Sequence, residues 1–447
     1  MKTILRILVL GFMMTAFTAV GATSVFAQDV CTEVEAKQAL YKQITDNYAG
    51  TAEKKKTAIE AGKQYVSKYG ACADDKEIVT YINKSILPME AELEKAAKQG
   101  EKDALYKRFD TAIKASNTAE ILGSGKEILA KEPEFLDVII ALASAGFDQT
   151  IANPPVDTYN NDVISYSKSA IEKIEAGKTS TTGNYGVLQY SYKTKDYADG
   201  KSNALGLMNY NIGYILYYRQ GKDNPAKKKE ALPYFYKATQ YNSFSKNNPE
   251  VYRTIGAWYL EEAIRIDGQR EAVVKAAGNK DTEESLNLLG LQKGYADRAI
   301  DAYARAYKLA SANKDPKNKA YADALYTKLK ELYAFRYDNK TEGIDAFVAT
   351  VMSKPMPDPT TDVTPVKEAA PVTPTTTSTA TPGGATKSST MTTDTTPAAQ
   401  PERPAATATT TTTKTTVESN GSTKTTTTKP ATKTPVKKPT PKKKGTR

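Results

Sequence analysis

Two helical segments, apolar and rich in tyrosine, each carry a glycine in their interior, and this limits the possible folds more than any other feature. They read LGLMNYNIGYILYYRQG (205–221) and NNPEVYRTIGAWYLEEA (247–263). Gly213 and Gly256 each follow an isoleucine, and Gly256 is followed three residues on by Tyr259. A glycine inside a helix costs about 1 kcal/mol against alanine, so it marks tight packing or a bend. Between them runs KKKEALPYFYKATQYN (227–242), in which Ala231, Phe235 and Ala238 fall at i, i+4 and i+7 on one narrow stripe. Pro249, directly after Asn248, suits the first position of a helix. The chain is therefore expected to pack helices closely, small residue against aromatic ring.

The same alternation extends in both directions. Segments 32–48 and 52–69 each present one apolar face, with Gly50 between them, and read as a helical hairpin. A third helix spans Lys76 to Leu87, is interrupted by Pro88, and gives way to a polar run ending near Gly100. The next hairpin contains ILGSGKEILAKEP (121–133), which aligns without gaps to AIEAGKQYVSKYG (58–70). Pro133 opens a helix with Phe135, Val138, Ile139 and Leu142 on one face, and its partner covers 162–175. Residues 178–203 are polar and tyrosine-bearing, either a loop crossing a binding face or a simple connector. Further on, Asp281 and Glu284 stand in capping relation before a helix carrying Ala299, Tyr303 and Ala306. A last pair, 319–337 and 341–352, brings Gly343, Phe347 and Pro355.

This pattern of glycine, small–aromatic–small stripe and closing proline resembles the tetratricopeptide repeat. The motif stands out over 205–355, while 32–204 shares only the alternation of helices. Six extra residues around 222–225, and the insertion beginning GQREAVVKAAGNK, depart from the family's spacing. The resemblance implies an all-α fold, a superhelical array of antiparallel helix pairs over 28–355. It also implies a concave groove lined by the first helix of each pair. With Gly213 and Gly256 as anchors, the groove positions fall on Tyr210, Tyr214, Tyr217, Tyr218, Glu250, Arg253 and Glu261. A tyrosine wall beside an arginine and two acids suits an extended peptide, a protein or an envelope polysaccharide. Core packing between layers is the other reading of those rings.

The ends of the chain set the compartment. Residues 1–27 join a basic start at Lys2 and Arg6 to a short apolar run and Val25-Phe26-Ala27, the pattern of a cleaved export signal. No later segment approaches the ~20 apolar residues a membrane span needs. Cys31 and Cys72, the two cysteines, sit at the open ends of the first hairpin and are expected to form a disulfide. The formal charge of +11 belongs mostly to residues 356–447, where 13 Lys/Arg face 6 Asp/Glu. That stretch is rich in Thr, Pro and Lys, carries no aromatic residue, and is expected to be disordered. Its basic end suits an anionic envelope surface, without specific recognition of nucleic acid.

The chain contains no histidine, so serine–histidine and cysteine–histidine nucleophiles and the usual zinc sites are excluded. No phosphate-cradling glycine motif occurs. No cofactor, metal or catalytic residue is expected. The reading adopted is an exported scaffold that binds a partner through its groove, with the basic tail as tether or spacer. Its competitors are a carbohydrate-active enzyme with a helical fold, built on a carboxylate pair, and a structural envelope protein whose tail does the binding.

Overall fold

A computed structural model of the chain describes residues 30–367. The expected export signal and the sequence from Glu368 onward lie outside the described residues. Among these residues every regular element is helical and no strand forms. The chain divides into two compact units, one ending at Lys107 and one beginning at Arg108.

The first unit opens with α1 (Val34–Asn47) and α2 (Ala52–Tyr69), joined by a turn at Gly50. Thr51 caps α2, its hydroxyl accepting from the Lys54 N–H. α3 (Lys76–Tyr81) runs into a wide π turn, Ile82–Ile86, and α4 (Pro88–Lys114) follows. Ile44, Ile59, Tyr65, Tyr69, Ile82 and Ile86 form the core of this unit. The expected break at Gly100 does not occur. α4 passes straight through it, because Gly100 is exposed and no later proline or cap ends the helix.

The Cys31–Cys72 disulfide forms, with Cα atoms 5.5 Å apart across 41 residues of sequence. In the chain-entropy account a loop of this length contributes roughly 4 kcal/mol by restricting the unfolded chain. Charged contacts reinforce the same end of the hairpin. Glu33 accepts from Lys68 and from the Tyr69 hydroxyl. Asp75 pairs with Lys37 and accepts from the Tyr65 hydroxyl at 2.7 Å.

The second unit continues with α5 (Thr118–Lys131), α6 (Leu136–Thr150) and α7 (Asn160–Glu175). α8 (Gly200–Tyr214) follows and is prolonged by a second π turn, Ile215–Gln220. Then come α9 (Pro225–Gln240), α10 (Pro249–Ala276), α11 (Glu283–Ala312), α12 (Pro316–Arg336) and the short α13 (Ile344–Thr350). The extra residues near 222–225 are taken up by that π turn and a brief loop, while the sequence from Gly268 lengthens α10 instead of opening an insertion. Pro249 is the first residue of α10, with the Asn248 side chain as its cap.

The interior glycines do what their cost implies. A Cβ on Gly213 would lie 2.9 Å from the Phe235 ring, and one on Gly256 would lie 2.7 Å from the Tyr303 ring. α8 meets α9, and α10 meets α11, at these points, with Ala231, Phe235, Ala238, Ala299 and Tyr303 fully buried. Gly62 and Gly125, equivalent in the internal alignment, each face an apolar side chain of a following element, Ile82 and Leu142. Gly343 behaves differently. It lies before α13 with φ +97°, a left-handed turn residue and not a packing glycine.

The connector 178–199 is tied to α6 through Asp137, which is fully buried. Its carboxylate accepts from the hydroxyls of Ser180 and Thr181 and from the backbone N–H of Thr181 and Gly186, at 2.7 to 3.0 Å. At the other end, order does not stop at Pro355: Met356 is buried in the core and contacts run on to Val366. No helix among the described residues is long and apolar enough to cross a membrane.

Two outcomes follow. Gly213→Ala and Gly256→Ala should each lower stability by about 1–3 kcal/mol through overpacking, whereas Gly100→Ala should raise it by about 0.5–1 kcal/mol. Urea midpoints of the three variants check this. The first unit should also be acid-sensitive. Lys68 and Tyr69 hold Glu33 below its ordinary value of 4.5, and Lys37 and Tyr65 more than offset the upward push of burial on Asp75, whose ordinary value is 3.8. Both folded values are depressed, so the stabilisation is complete above pH 4.5 and is lost as pH falls below 3.8 through the folded values. Hydrogen-exchange protection at Ile44 and Ile59, taken relative to an unstructured amide at the same pH and followed from pH 6 to about 3, should fall over that window and not above it.

Candidate functional site

α8 has no separate polar face, which is the pattern of a helix surrounded by protein. From Asn203 to Gly213 all of its residues are buried. The tyrosines expected to line an open wall are placed accordingly. Tyr210 and Tyr217 are each 6% exposed and pack against Phe235. Tyr210 also meets Phe147 edge-on at 5.9 Å, and Tyr214 meets the same ring at 5.5 Å. Tyr214 and Tyr218 are half-buried, with centroids 4.9 Å apart. Glu250 and Arg253 are 7% and 4% exposed. The expected solvent-facing wall is thus mainly interior, because α6, α7, α9 and the turn at Phe244–Asn247 close around α8.

The seven residues nevertheless form one connected group. Arg253 pairs with Glu250 through Nε at 2.8 Å and through Nη2. The Glu250 carboxylate also accepts from Tyr218 of the π turn at 3.0 Å and from Tyr321 of α12 at 2.9 Å. Thr254 exchanges a hydrogen bond with the Tyr218 hydroxyl. Burial, and then the charge of Glu250, push the Tyr218 hydroxyl well above its ordinary range, so it remains protonated. Glu261 lies at the edge of the group, gripped by Lys228 at 2.9 Å from both oxygens, and the same ammonium sits 5.4 Å over the Tyr217 ring.

Beside Tyr210 lies a cavity of about 30 Å³. Its wall comes from Ser144 and Phe147 of α6, Tyr192 of the connector, Tyr210 and Asn211 of α8, and Asn248 at the cap of α10. Asp148, Ile151 and Phe244, all half-buried, form the rim. Asn211 is fully buried, yet neither its Oδ1 nor its Nδ2 has a partner. Asn248 spends its Oδ1 on the Glu250 N–H and leaves Nδ2 without one. A buried amide with no partner costs about 1–3 kcal/mol, so two such groups facing one cavity mark a place where an entering polar group gains their bonds.

Of the sequence candidates only Tyr210 lines this cavity. Asn211 is not among those candidates and Asn248 enters them only as the residue before Pro249, although Asn211 is a polar residue amid the apolar run LGLMNYNIGYIL, and that contrast was the available signal. Tyr192 of the connector also lines the cavity, and its hydroxyl is 2.5 Å from that of Ser144.

Two carboxyls of α11, Asp297 and Asp301, are pushed above their ordinary range by burial, with Arg336 and Arg305 pulling the other way. Each is bonded to its arginine, at 2.8 and 2.6 Å.

Comparison with protein-family models, with characterised proteins and with solved structures yields no match to this chain.

The Glu250 group sets a stability test. Arg253→Met alone leaves a buried carboxylate without its cation and should cost about 3–5 kcal/mol, whereas adding Glu250→Leu should recover much of that loss. Chemical denaturation of the single and double variants measures both.

Proposed function

We propose that this chain is an exported scaffold of tetratricopeptide-like helical pairs that holds an extended polypeptide segment against α6, α8 and the start of α10. The observation that carries this reading is Asn211, a fully buried carboxamide with donor and acceptor both unpartnered, in a cavity walled by Tyr210 and Phe147. A carboxamide offers one donor and one acceptor side by side, the complement of a peptide unit. The size of the cavity favours a peptide over an envelope polysaccharide. About 30 Å³ holds roughly one or two water-sized groups, enough for an amide or carbonyl and not for a sugar ring. Asp148 on the rim favours a cationic side chain next to that amide. The disulfide suits an oxidising compartment outside the cytoplasm. The basic C-terminal sequence then serves as tether or spacer at an anionic surface.

The carbohydrate-active alternative has less support. Glu250, Asp297 and Asp301 are each bonded to an arginine of the fold, and the cavity beside Tyr210 has one carboxylate on its rim, Asp148, not the pair a glycosidase uses. The reading of a structural envelope protein that binds through its tail rests on composition alone.

A photoreactive residue at Phe244 or Ile151, on the cavity rim, should give peptide adducts in native envelope preparations. Asn211→Leu removes the unpartnered amide and should leave stability equal or higher. It should weaken capture about tenfold, the effect of losing roughly 1.4 kcal/mol. Glycan adducts would replace the peptide reading with the polysaccharide one. Capture unaffected by Asn211→Leu would move the binding role elsewhere.

A further inference from the structure

The unpartnered atoms of the cavity beside Tyr210 select what can enter it. Asn211 is fully buried on α8 and does not spend its amide on its own helix. Asn209, two residues earlier, does: its Nδ2 donates to the Leu205 carbonyl one turn back at 2.8 Å, a common recourse of a short polar side chain inside a helix. Asn248 is fixed by its cap, where Oδ1 accepts from the Glu250 N–H at 3.0 Å, so Nδ2 is the atom left over. The hydroxyls of the wall are already engaged. Ser144 donates to the Ile140 carbonyl at 2.8 Å, and the Tyr192 hydroxyl meets Ser144 Oγ at 2.5 Å. The open positions are therefore two amide donors, from Asn211 and Asn248, and one amide acceptor, from Asn211.

Three kinds of group on a polypeptide could meet these atoms: a backbone peptide unit, a carboxylate and a primary carboxamide. The peptide unit is planar and trans, with its N–H and its C=O pointing to opposite sides. One such unit cannot answer both atoms of Asn211, and two successive units bring a whole residue with them. A cavity of about 30 Å³ holds roughly one or two water-sized groups, too little for that. A carboxylate is small enough, but it only accepts. One of its oxygens would face Asn211 Oδ1 with no hydrogen between them, and the like charge of Asp148 on the rim opposes it further. A primary carboxamide carries one N–H on the same side as its C=O. It closes a reciprocal pair with Asn211, and the second lone pair of its oxygen accepts from Asn248 Nδ2. Its carbon, oxygen and nitrogen are coplanar, and Phe147, Tyr192 and Tyr210 supply flat aromatic walls.

We infer that the cavity is a carboxamide recess, the seat of an asparagine or glutamine side chain of the bound segment. This rests on the reading of the site as one that holds a polypeptide, and it adds a sequence requirement to that reading. The backbone of the segment stays at the rim, by Asp148, Ile151 and Phe244, and only the side chain enters.

Saturation-transfer NMR of the full-length protein at neutral pH, with four small probes, tests this. The probes are the N-acetyl, N-methylamide derivatives of glutamine, asparagine, glutamate and alanine, of which only the first two carry a primary carboxamide. At least one of these two should bind about tenfold or more tightly than the glutamate and alanine derivatives, the effect of one well-made hydrogen bond. Asn211→Leu should erase that preference. Asn248→Asp keeps the oxygen that caps α10, removes the Nδ2 donor, and should reduce the preference several-fold, so the test survives a failure of Asn211→Leu to fold. Equal binding of the alanine derivative, lost in Asn211→Leu, puts backbone in the cavity; it overturns the inference and leaves the peptide reading standing. Equal binding of the glutamate derivative, a preference indifferent to both substitutions, or no binding of either carboxamide also overturns it. A carboxamide preference in a protein whose photoadducts are all glycans removes the peptide reading and keeps the recess.

Discussion

The second unit depends on one buried carboxylate. Glu250, in the first turn of α10, accepts from Tyr218 after α8, Arg253 of α10 itself and Tyr321 of α12. Three helices distant in sequence thus converge on two oxygen atoms. Apolar packing would tolerate a slip of one helix along another, since area changes little with small displacements. A buried charge tolerates no such slip, because losing any donor leaves it under-solvated where water cannot replace the bond. The aromatic rings around it supply most of the buried area, and Glu250 fixes which ring meets which.

Much of the architecture could be read from the sequence where a single physical cause acted locally. Gly213, Gly256 and the Ala231–Phe235–Ala238 stripe announced close helix contact, and the partner rings Phe235 and Tyr303 meet the glycines as expected. Gly100 misled because a solvent-facing glycine costs a long helix only about 1 kcal/mol, which the rest of α4 absorbs. The start of α11 was displaced by one residue. Thr282 and Ser285 form the reciprocal cap, while Asp281 accepts from Ser285. Several neighbouring residues there have capping chemistry, and only the backbone conformation selects among them. The ordered stretch from Met356 to Val366 was hidden because its composition matches that of the residues after it. What orders it are Arg298 and two glycines some seventy residues earlier, a long-range match that composition does not express.

The site was legible in part. The seven transferred positions do gather in one group, but the transfer could not say whether they face water, since burial of α8 depends on α6, α7, α9 and the turn at Phe244–Asn247 closing around it. Tyr210 and Tyr217 accordingly lie within the packing. Asn211 and Asn248 hold the unpartnered amide groups instead, and a lone asparagine among apolar neighbours reads as a cap or a tolerated polar residue until its missing partners are seen.

The Asp137 carboxylate has a consequence for how the chain can be cut or lengthened. A connector of some twenty residues would ordinarily be the place where a protease nicks a helical protein or where an insertion is tolerated. Here the backbone around Thr181 and Gly186 folds back onto a fully buried anion. A protease needs an extended stretch to thread its active site, and drawing out this segment would strip that anion of its donors. The segment therefore presents loop composition with the resistance of a core element, and an insertion between Ser180 and Gly186 would be paid for inside α6.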